Sequence, residues 1–278
     1  MDELALKELG GIWEKEASAL NKQADVVLRA NSLRTTPEEL KEKLQSEEIA
    51  VSQQERFPEA LILKERANVF MTQAFKDGLF EVQDAGSQTI APPFLQVEPG
   101  MRVMDACAGA GGKALHLAAL MENKGQIIAT DIYKSKLNEL KRRARRAGAH
   151  NIETRLIDST KVIKKLAGKM DRLLIDAPCS GLGVLRRNPD AKWKLQPEFI
   201  DEIRATQQDI LQRYSTVVKP DGMMVYATCS ILASENENQV QEFLKSEAGA
   251  TFELVEEQSL LAHRDGFDGF YMALMKKK

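Results

Sequence analysis

The chain has 278 residues, 43% hydrophobic and 29% charged, which supplies a core for one large domain or a domain with an appendage and excludes wholesale disorder. No run approaches the ~20 consecutive apolar residues of a membrane span, and residues 1–7 lack the basic-then-apolar pattern of a secretory signal. The net charge of −2 is uneven: residues 1–98 are net −7, 99–278 net +5, and 132–195 alone net +11, the pattern of a chain that meets a polyanion over one stretch.

In chain order, residues 4–20 have a helical pattern and Val26–Ala30 reads as a short strand. A helix follows with Thr36 as N-cap, Pro37 at its first position and Glu39 closing a capping box. Gly86, Pro92-Pro93 and Pro99-Gly100 then punctuate a segment suited to linking two subdomains. From residue 101 the rhythm becomes regular. Strands are predicted at 102–106, 126–130, 152–157, 172–175 and 223–227, the last entered through Pro220-Asp221-Gly222. Helices are predicted over 113–122, 134–147, 197–218 and 235–245, the second with Leu137, Leu140, Ala144 and Ala147 on one face. Two further strands fall near 251–255 and 269–274. This alternation predicts an α/β protein with a doubly wound, mostly parallel sheet. Ligands of such sheets sit beyond the carboxyl ends of the strands. Asp105, Asp131, Asp158, Asp176 and Cys229 all fall there.

Three cysteines, Cys107, Cys179 and Cys229, are too few and odd in number for a disulfide framework. They also lack the paired spacing of a structural zinc site. The expectation is a reduced, cytoplasmic protein without a metal.

The first strand runs into Asp105-Ala106-Cys107-Ala108-Gly109-Ala110-Gly111-Gly112-Lys113. Such glycines permit a tight turn and let a ligand lie against bare backbone. Asp131 follows Gly111 by twenty residues, the spacing at which an acid reaches ribose hydroxyls. Gly109, Gly111 and Ala114 also satisfy a permissive dinucleotide fingerprint, so a nicotinamide-dependent oxidoreductase is one reading. S-adenosylmethionine (SAM) is favoured by two acids. Asp105 would hold an ammonium but repel a pyrophosphate, and Asp158 is placed to accept from an adenine amino group; a buried loop acid and a helix N-cap are their plainer roles. Two thiols, Cys179 and Cys229, end successive strands fifty residues apart, the first three residues beyond Asp176. One cysteine alone is usually a small buried hydrophobe; a packing role suffices for Cys107.

Taken together these motifs resemble the Sun/Fmu-type RNA cytosine-5 methyltransferase family. The resemblance rests on the loop from Asp105 to Lys113, Asp131, Asp158, Asp176-Ala177-Pro178-Cys179-Ser180-Gly181 and Thr228-Cys229-Ser230. Arg186-Arg187-Asn188-Pro189-Asp190, Lys192-Trp193 and Asp268-Gly269-Phe270 strengthen it. Arg29-Ala30-Asn31-Ser32-Leu33 and Gln83-Asp84 with Ser87 add weaker matches, and the likeness spans about 25–278. Family loops commonly read C-A-A-P-G-G-K; here Gly109 and Ala110 stand in the third and fourth places.

The resemblance implies a Rossmann-like SAM-dependent methyltransferase domain over 85–278, preceded by a small α+β subdomain over 1–84 that contacts RNA. It implies Cys229 as nucleophile, Cys179 as the thiol assisting release, and Asp176 beside both cytosine and cofactor. The cofactor set it implies is Asp105, Cys107, Ala108, Gly109, Ala110, Gly111, Gly112, Lys113, Asp131, Lys136, Asp158 and Asp176. Arg186, Arg187 and Trp193 are expected at the RNA, the arginines on phosphates and the indole for stacking. Ribosomal RNA is the expected substrate, with transfer RNA as alternative. A chain of this length is expected to lack the N-terminal helical RNA-binding domain that ribosomal members often carry. A catalytically silent RNA-binding protein is a further reading, against which Asp176, Cys179 and Cys229 speak. An amino-group methyltransferase would usually carry an Asn/Asp-Pro-Pro-aromatic sequence where this chain has Asp176-Ala177-Pro178-Cys179.

Overall fold

The computed structural model describes residues 2–90 and 94–278; the Pro92-Pro93 break lies outside the described residues. Two compact units emerge, one of Asp25–Ser159 and one of Met1–Ala24 with Thr160–Lys278.

The unit of Asp25–Ser159 opens with an antiparallel sheet of β1 (Val27–Ala30), β2 (Val51–Gln54), β3 (Phe57–Leu63) and β4 (Phe80–Val82), in the order β2-β3-β1-β4. The helix Pro37–Ser46 covers it with Leu40 and Leu44, which join Leu28, Val51, Leu61, Leu63 and Phe80 in one core. Its capping box forms as expected: Thr36 Oγ1 accepts from Glu39 N at 3.2 Å, and Glu39 Oε2 from Thr36 N at 2.9 Å. β2, β3 and β4 were not anticipated. β2 buries only Val51 and β3 carries Pro58, so neither shows the alternation that marks a strand.

Next come the parallel strands β5 (Arg102–Asp105), β6 (Gln126–Asp131) and β7 (Ile152–Leu156), with helices Gly112–Leu120 and Lys134–Ala147 between them. The second helix buries Leu137, Leu140, Ala144 and Ala147, the stripe expected of it. Gly148, at φ 72°, ends it in the left-handed conformation.

In the other unit β8 (Met170–Asp176) runs parallel to β9 (Val218–Thr228). β10 (Phe252–Leu260) and β11 (Phe270–Lys277) follow, β11 antiparallel to both β9 and β10. The seven-stranded sheet has the order β10-β11-β9-β8-β5-β6-β7, which is the mostly parallel α/β arrangement the alternation predicts. Several boundaries differ from the expected ones, three of them for a visible reason. The 4–20 helix divides into Asp2–Leu9 and Trp13–Leu20, because Gly10 takes φ 56° between them. β9 begins at Val218, with the Pro220-Asp221-Gly222 turn absorbed as an irregularity rather than preceding the strand. β10 reaches Leu260, held by its ladder to β11 despite a polar sequence.

The two N-terminal helices bury Ala5, Trp13 and Leu20 against Leu182, Leu185, Ile231 and Leu232. Buried Glu16 accepts from the backbone of Ala262 at 2.8 Å and His263 at 2.9 Å, tying the helix Trp13–Leu20 to the far end of its unit. Among the described residues no helix is long and apolar enough to cross a membrane, and no cluster of three metal-ligating side chains occurs.

Candidate active site

The glycine loop is held by β6. Ala108 N donates to Thr130 O at 2.9 Å, and Thr130 Oγ1 to Ala106 O at 2.8 Å. Asp131 accepts from Gly109 N at 2.9 Å through one oxygen and from Tyr133 N at 2.8 Å through the other. The acid at the twenty-residue spacing therefore shapes the loop. Gly111 requires its lack of a side chain: φ is 88°, and a Cβ would lie 2.5 Å from Leu140 Cγ. Gly109, at φ 54°, has nothing within 4 Å of where a Cβ would stand, so the loop presents bare backbone to open space. Asp105 is fully buried at the end of β5. A buried acid beneath an open glycine cradle fits a cationic nucleoside such as SAM and disfavours a pyrophosphate. Cys107 and Lys113 are half-buried in the same loop, while Lys136 and Asp158 are exposed.

Below the loop lies a network that sequence reasoning missed. Arg29 of β1 is buried and donates to Gly112 O at 2.9 Å and to Gln83 Oε1. Burial pulls its pKa to about 10, with Glu81 and Glu59 acting in the opposite direction, so it is charged at neutral pH. Arg143 donates to Ala110 O at 3.0 Å and to Glu81 Oε2 at 2.8 Å; Arg146 reaches the other Glu81 oxygen at 2.5 Å. Two guanidiniums thus grip two carbonyls of the loop. His116 Nε2 lies 2.9 Å from Glu59 Oε2. Burial, reinforced by Arg29, lowers the His116 pKa to about 4. Burial would raise that of Glu59, but the His116 hydrogen bond and charge carry it below the usual value. Asn31 Nδ2 donates to Gly78 O and Ala147 O, each at 2.8 Å, so the Arg29-Ala30-Asn31 match acts as scaffold. Its sequence signal was an arginine inside the short apolar strand β1 and an asparagine just beyond the strand's end.

A second group of candidate residues, within the other unit, is built on β8 and β9. Asp176 pairs in register with Ala227, and the chain continues from that pair into both cysteine loops. Gly183 N donates to Cys229 O at 2.9 Å, and Gly183 O accepts from Gly269 N at 2.8 Å. A Cβ at Gly183 would stand 2.2 Å from Gly269 O, so glycine is needed for the loops to close on one another. The result brings Cys179 Sγ within 3.1 Å of Cys229 Sγ, both thiols free and half-buried. The hydrogen bond to Cys229, then burial, then the charges of Cys229 and Glu235 hold the Cys179 pKa well above its ordinary value, against the opposing Gly181 N–H. Cys179 is thus held as a protonated thiol, in hydrogen-bond contact with the Cys229 sulfur.

The basic loop is engaged with its own unit. Arg186 donates to Gly266 O at 2.7 Å and Gln23 O at 3.1 Å, Arg187 pairs with buried Asp268, and Lys192 reaches Asn21 Oδ1 at 2.9 Å. Trp193 is 79% exposed. Glu235 and Gln207, both fully buried beside the cysteine loops, left no signal in the sequence.

Comparison with known proteins points to one family. Residues 92–276 match the family model described as 16S rRNA methyltransferase RsmB/F, and residues 4–70 a ferredoxin-like domain of RsmF/B-like methyltransferases. The chain is 35% identical over 271 residues to ribosomal RNA small subunit methyltransferase B of Pectobacterium carotovorum, covering 95% of this chain and 62% of that protein. It is 34% identical over 271 residues to the protein of that name from Serratia proteamaculans, with the same two shares, 95% and 62%. The crystal structure of PH0851 superposes with a TM-score of 0.93 at 32% identity, over 99% of this chain and 65% of that one. The chain thus spans about three fifths of the length of the curated relatives it matches. With a matching family model over two thirds of its length and relatives above 30% identity along nearly all of it, the chain belongs to the RsmB/F family of 16S rRNA methyltransferases.

Proposed function

We propose that this chain methylates C5 of a cytosine in ribosomal RNA, using SAM, through a transient covalent bond from Cys229 to the base. The observation that carries the reading is the proton-sharing pair of Cys179 and Cys229 at neighbouring strand ends. C5 of cytosine is a weak nucleophile. Addition of the Cys229 thiolate to C6 pushes an electron pair to C5 and makes it reactive. When bound, SAM supplies an electrophilic methyl group. The loop from Asp105 to Lys113, with Asp131, Lys136, Asp158 and Asp176, would hold it.

The pair also supplies a sequence of proton states. While Cys229 is a thiolate, it accepts from Cys179 and keeps that thiol protonated. Once Cys229 is bonded to C6 its sulfur is a neutral thioether. The leading cause of the raised Cys179 pKa is then gone, so Cys179 gives up its own proton to solvent more readily, and its thiolate takes the C5 proton. Loss of that proton returns an electron pair to the ring and expels the Cys229 thiolate. Trp193, exposed in the basic loop, is the proposed stacking contact for RNA, with Arg186 and Arg187 behind it. The names of the relatives support ribosomal RNA as substrate.

The test is transfer of labelled methyl from SAM to small-subunit ribosomal RNA, followed by nucleoside analysis. Label in 5-methylcytidine is expected. Label on an exocyclic nitrogen or a ribose, or undiminished transfer by Cys229→Ala, would overturn the reading.

A further inference from the structure

Behind the two sulfurs lies a buried carboxylate that the proposed chemistry does not use. Glu235 is fully buried and follows β9 by way of the Cys229 loop. Its Oε2 accepts from Ser180 N at 2.8 Å and from Gln207 Nε2 at 3.1 Å; its Oε1 accepts from Ser230 Oγ at 2.6 Å. Ser180 and Ser230 are the residues immediately after Cys179 and Cys229, and their hydroxyls lie 3.2 Å apart. Gln207, on the helix Pro197–Ser215, also donates to Pro178 O at 3.0 Å, on the other side of Cys179. The Glu235 backbone is itself anchored, its carbonyl accepting from Tyr226 OH at 2.7 Å.

Three donors converge on this carboxylate and, among the described residues, no lysine or arginine pairs with it. A buried anion without a cation is expensive, and an all-acceptor group is what three converging donors require. We propose that Glu235 is the positioning residue of the cysteine pair: one carboxylate braces both sulfur-bearing loops in a single register. Its charge has a second effect. The groups acting on the Cys179 thiol are Cys229 and Glu235, with the Gly181 N–H opposing them. Glu8 of the helix Asp2–Leu9 faces the same turn, accepting from Ser234 N at 2.8 Å. Glu235 therefore helps keep the Cys179 thiol protonated. The proposal rests on the cytosine-methylation reading for its catalytic meaning, but the brace itself can be read without RNA.

Glu235→Gln is the informative variant. A glutamine oxygen can still accept from Ser180 N and Gln207, and its amide can donate to Ser230 Oγ, so the shape is kept and the charge removed. Site-resolved alkylation with iodoacetamide, followed by mass spectrometry across a pH series, reads each thiol separately. In Glu235→Gln, Cys179 should alkylate about threefold faster at fixed pH, a midpoint lower by about half a unit. With RNA, kcat should fall about tenfold or more while the KM for RNA is unchanged. Ser230→Ala removes one arm of the brace and serves if Glu235→Gln does not fold; kcat should fall with the KM for RNA preserved, and the melting temperature should drop by the few degrees that one lost buried hydrogen bond costs. An unmoved Cys179 profile in folded Glu235→Gln, or an unchanged kcat in Ser230→Ala, would overturn the proposal. Because alkylation requires neither RNA nor SAM, it succeeds or fails independently of whether wild-type protein methylates cytosine.

Discussion

Cys179 and Cys229 hold their sulfur atoms 3.1 Å apart, yet the two thiols are not equivalent. The Cys179 thiol is held protonated by its hydrogen bond to Cys229, by burial and by neighbouring negative charge. The surroundings of a thiol, not its own chemistry, set how tightly it holds its proton.

That asymmetry predicts different failures for the two single substitutions. Cys229→Ala should abolish addition to the base, leaving neither methylated product nor adduct. Cys179→Ala should still add to cytosine but release it slowly, with turnover reduced by about 10²–10⁴. Denaturing gels with labelled RNA should therefore show a covalent complex only for Cys179→Ala. An adduct from Cys229→Ala alone would exchange the two assignments.

Arg143 joins buried Glu81 to the Ala110 carbonyl of the glycine loop. Arg143→Met should lower stability by roughly 2–3 kcal/mol, below the full cost of stripping a buried ion pair because Arg146 remains on Glu81. It should also weaken SAM binding, since Ala110 O loses its donor. Thermal melts with and without SAM measure both effects. Combined with Glu81→Gln, the stability losses should be less than additive; strict additivity would mean that the contact contributes nothing.

The His116–Glu59 pair sets an acid limit on stability. The folded His116 pKa, about 4, lies below the ordinary 6.5, so between these values the unfolded chain binds more protons. The associated stability is present above pH 6.5 and lost as pH falls to about 4, in total roughly 3 kcal/mol. Glu59, whose pKa is also depressed, loses stability in the same direction at lower pH. Urea unfolding over this interval should show a slope that His116→Gln flattens. An equal slope in the variant would remove His116 as its source.

Two residues of the basic loop should separate cleanly. Trp193, 79% exposed, is expected on substitution by alanine to raise the KM for RNA roughly tenfold without lowering the melting temperature. Arg187 is paired with buried Asp268, so Arg187→Gln should cost about 3 kcal/mol of stability by removing that guanidinium. Unchanged melting of Arg187→Gln would instead free it for phosphate contact. Measured salt dependence of RNA binding then tells whether its charge is used there.

The chemistry-bearing positions were legible because strand ends are local features. A short apolar run stopped by Asp105, Asp131 or Asp176 marks both the strand and the side of the sheet where ligands bind. The capped helix at Pro37 and the Leu137 to Ala147 stripe were equally readable, since capping and helical period involve only neighbours in sequence. β2, β3 and β4 escaped notice because their strand character depends on partners supplied by pairing, not on alternation within each segment.

The fate of individual charges required the folded chain. Along Lys134–Ala147 the basic residues look alike, but Arg143 and Arg146 turn to Glu81 while Lys141 and Arg145 remain exposed. The sequence by itself determined the α/β alternation, the glycine loop with its acids, and the presence of two thiols at neighbouring strand ends. Only the tertiary structure brought the two sulfurs into contact and raised the Cys179 pKa, and it brought Glu235 between their loops and Arg29 beneath Gly112. Periodicity reports which face of an element is buried, whereas protonation and hydrogen bonding depend on what distant segments place within a few ångströms.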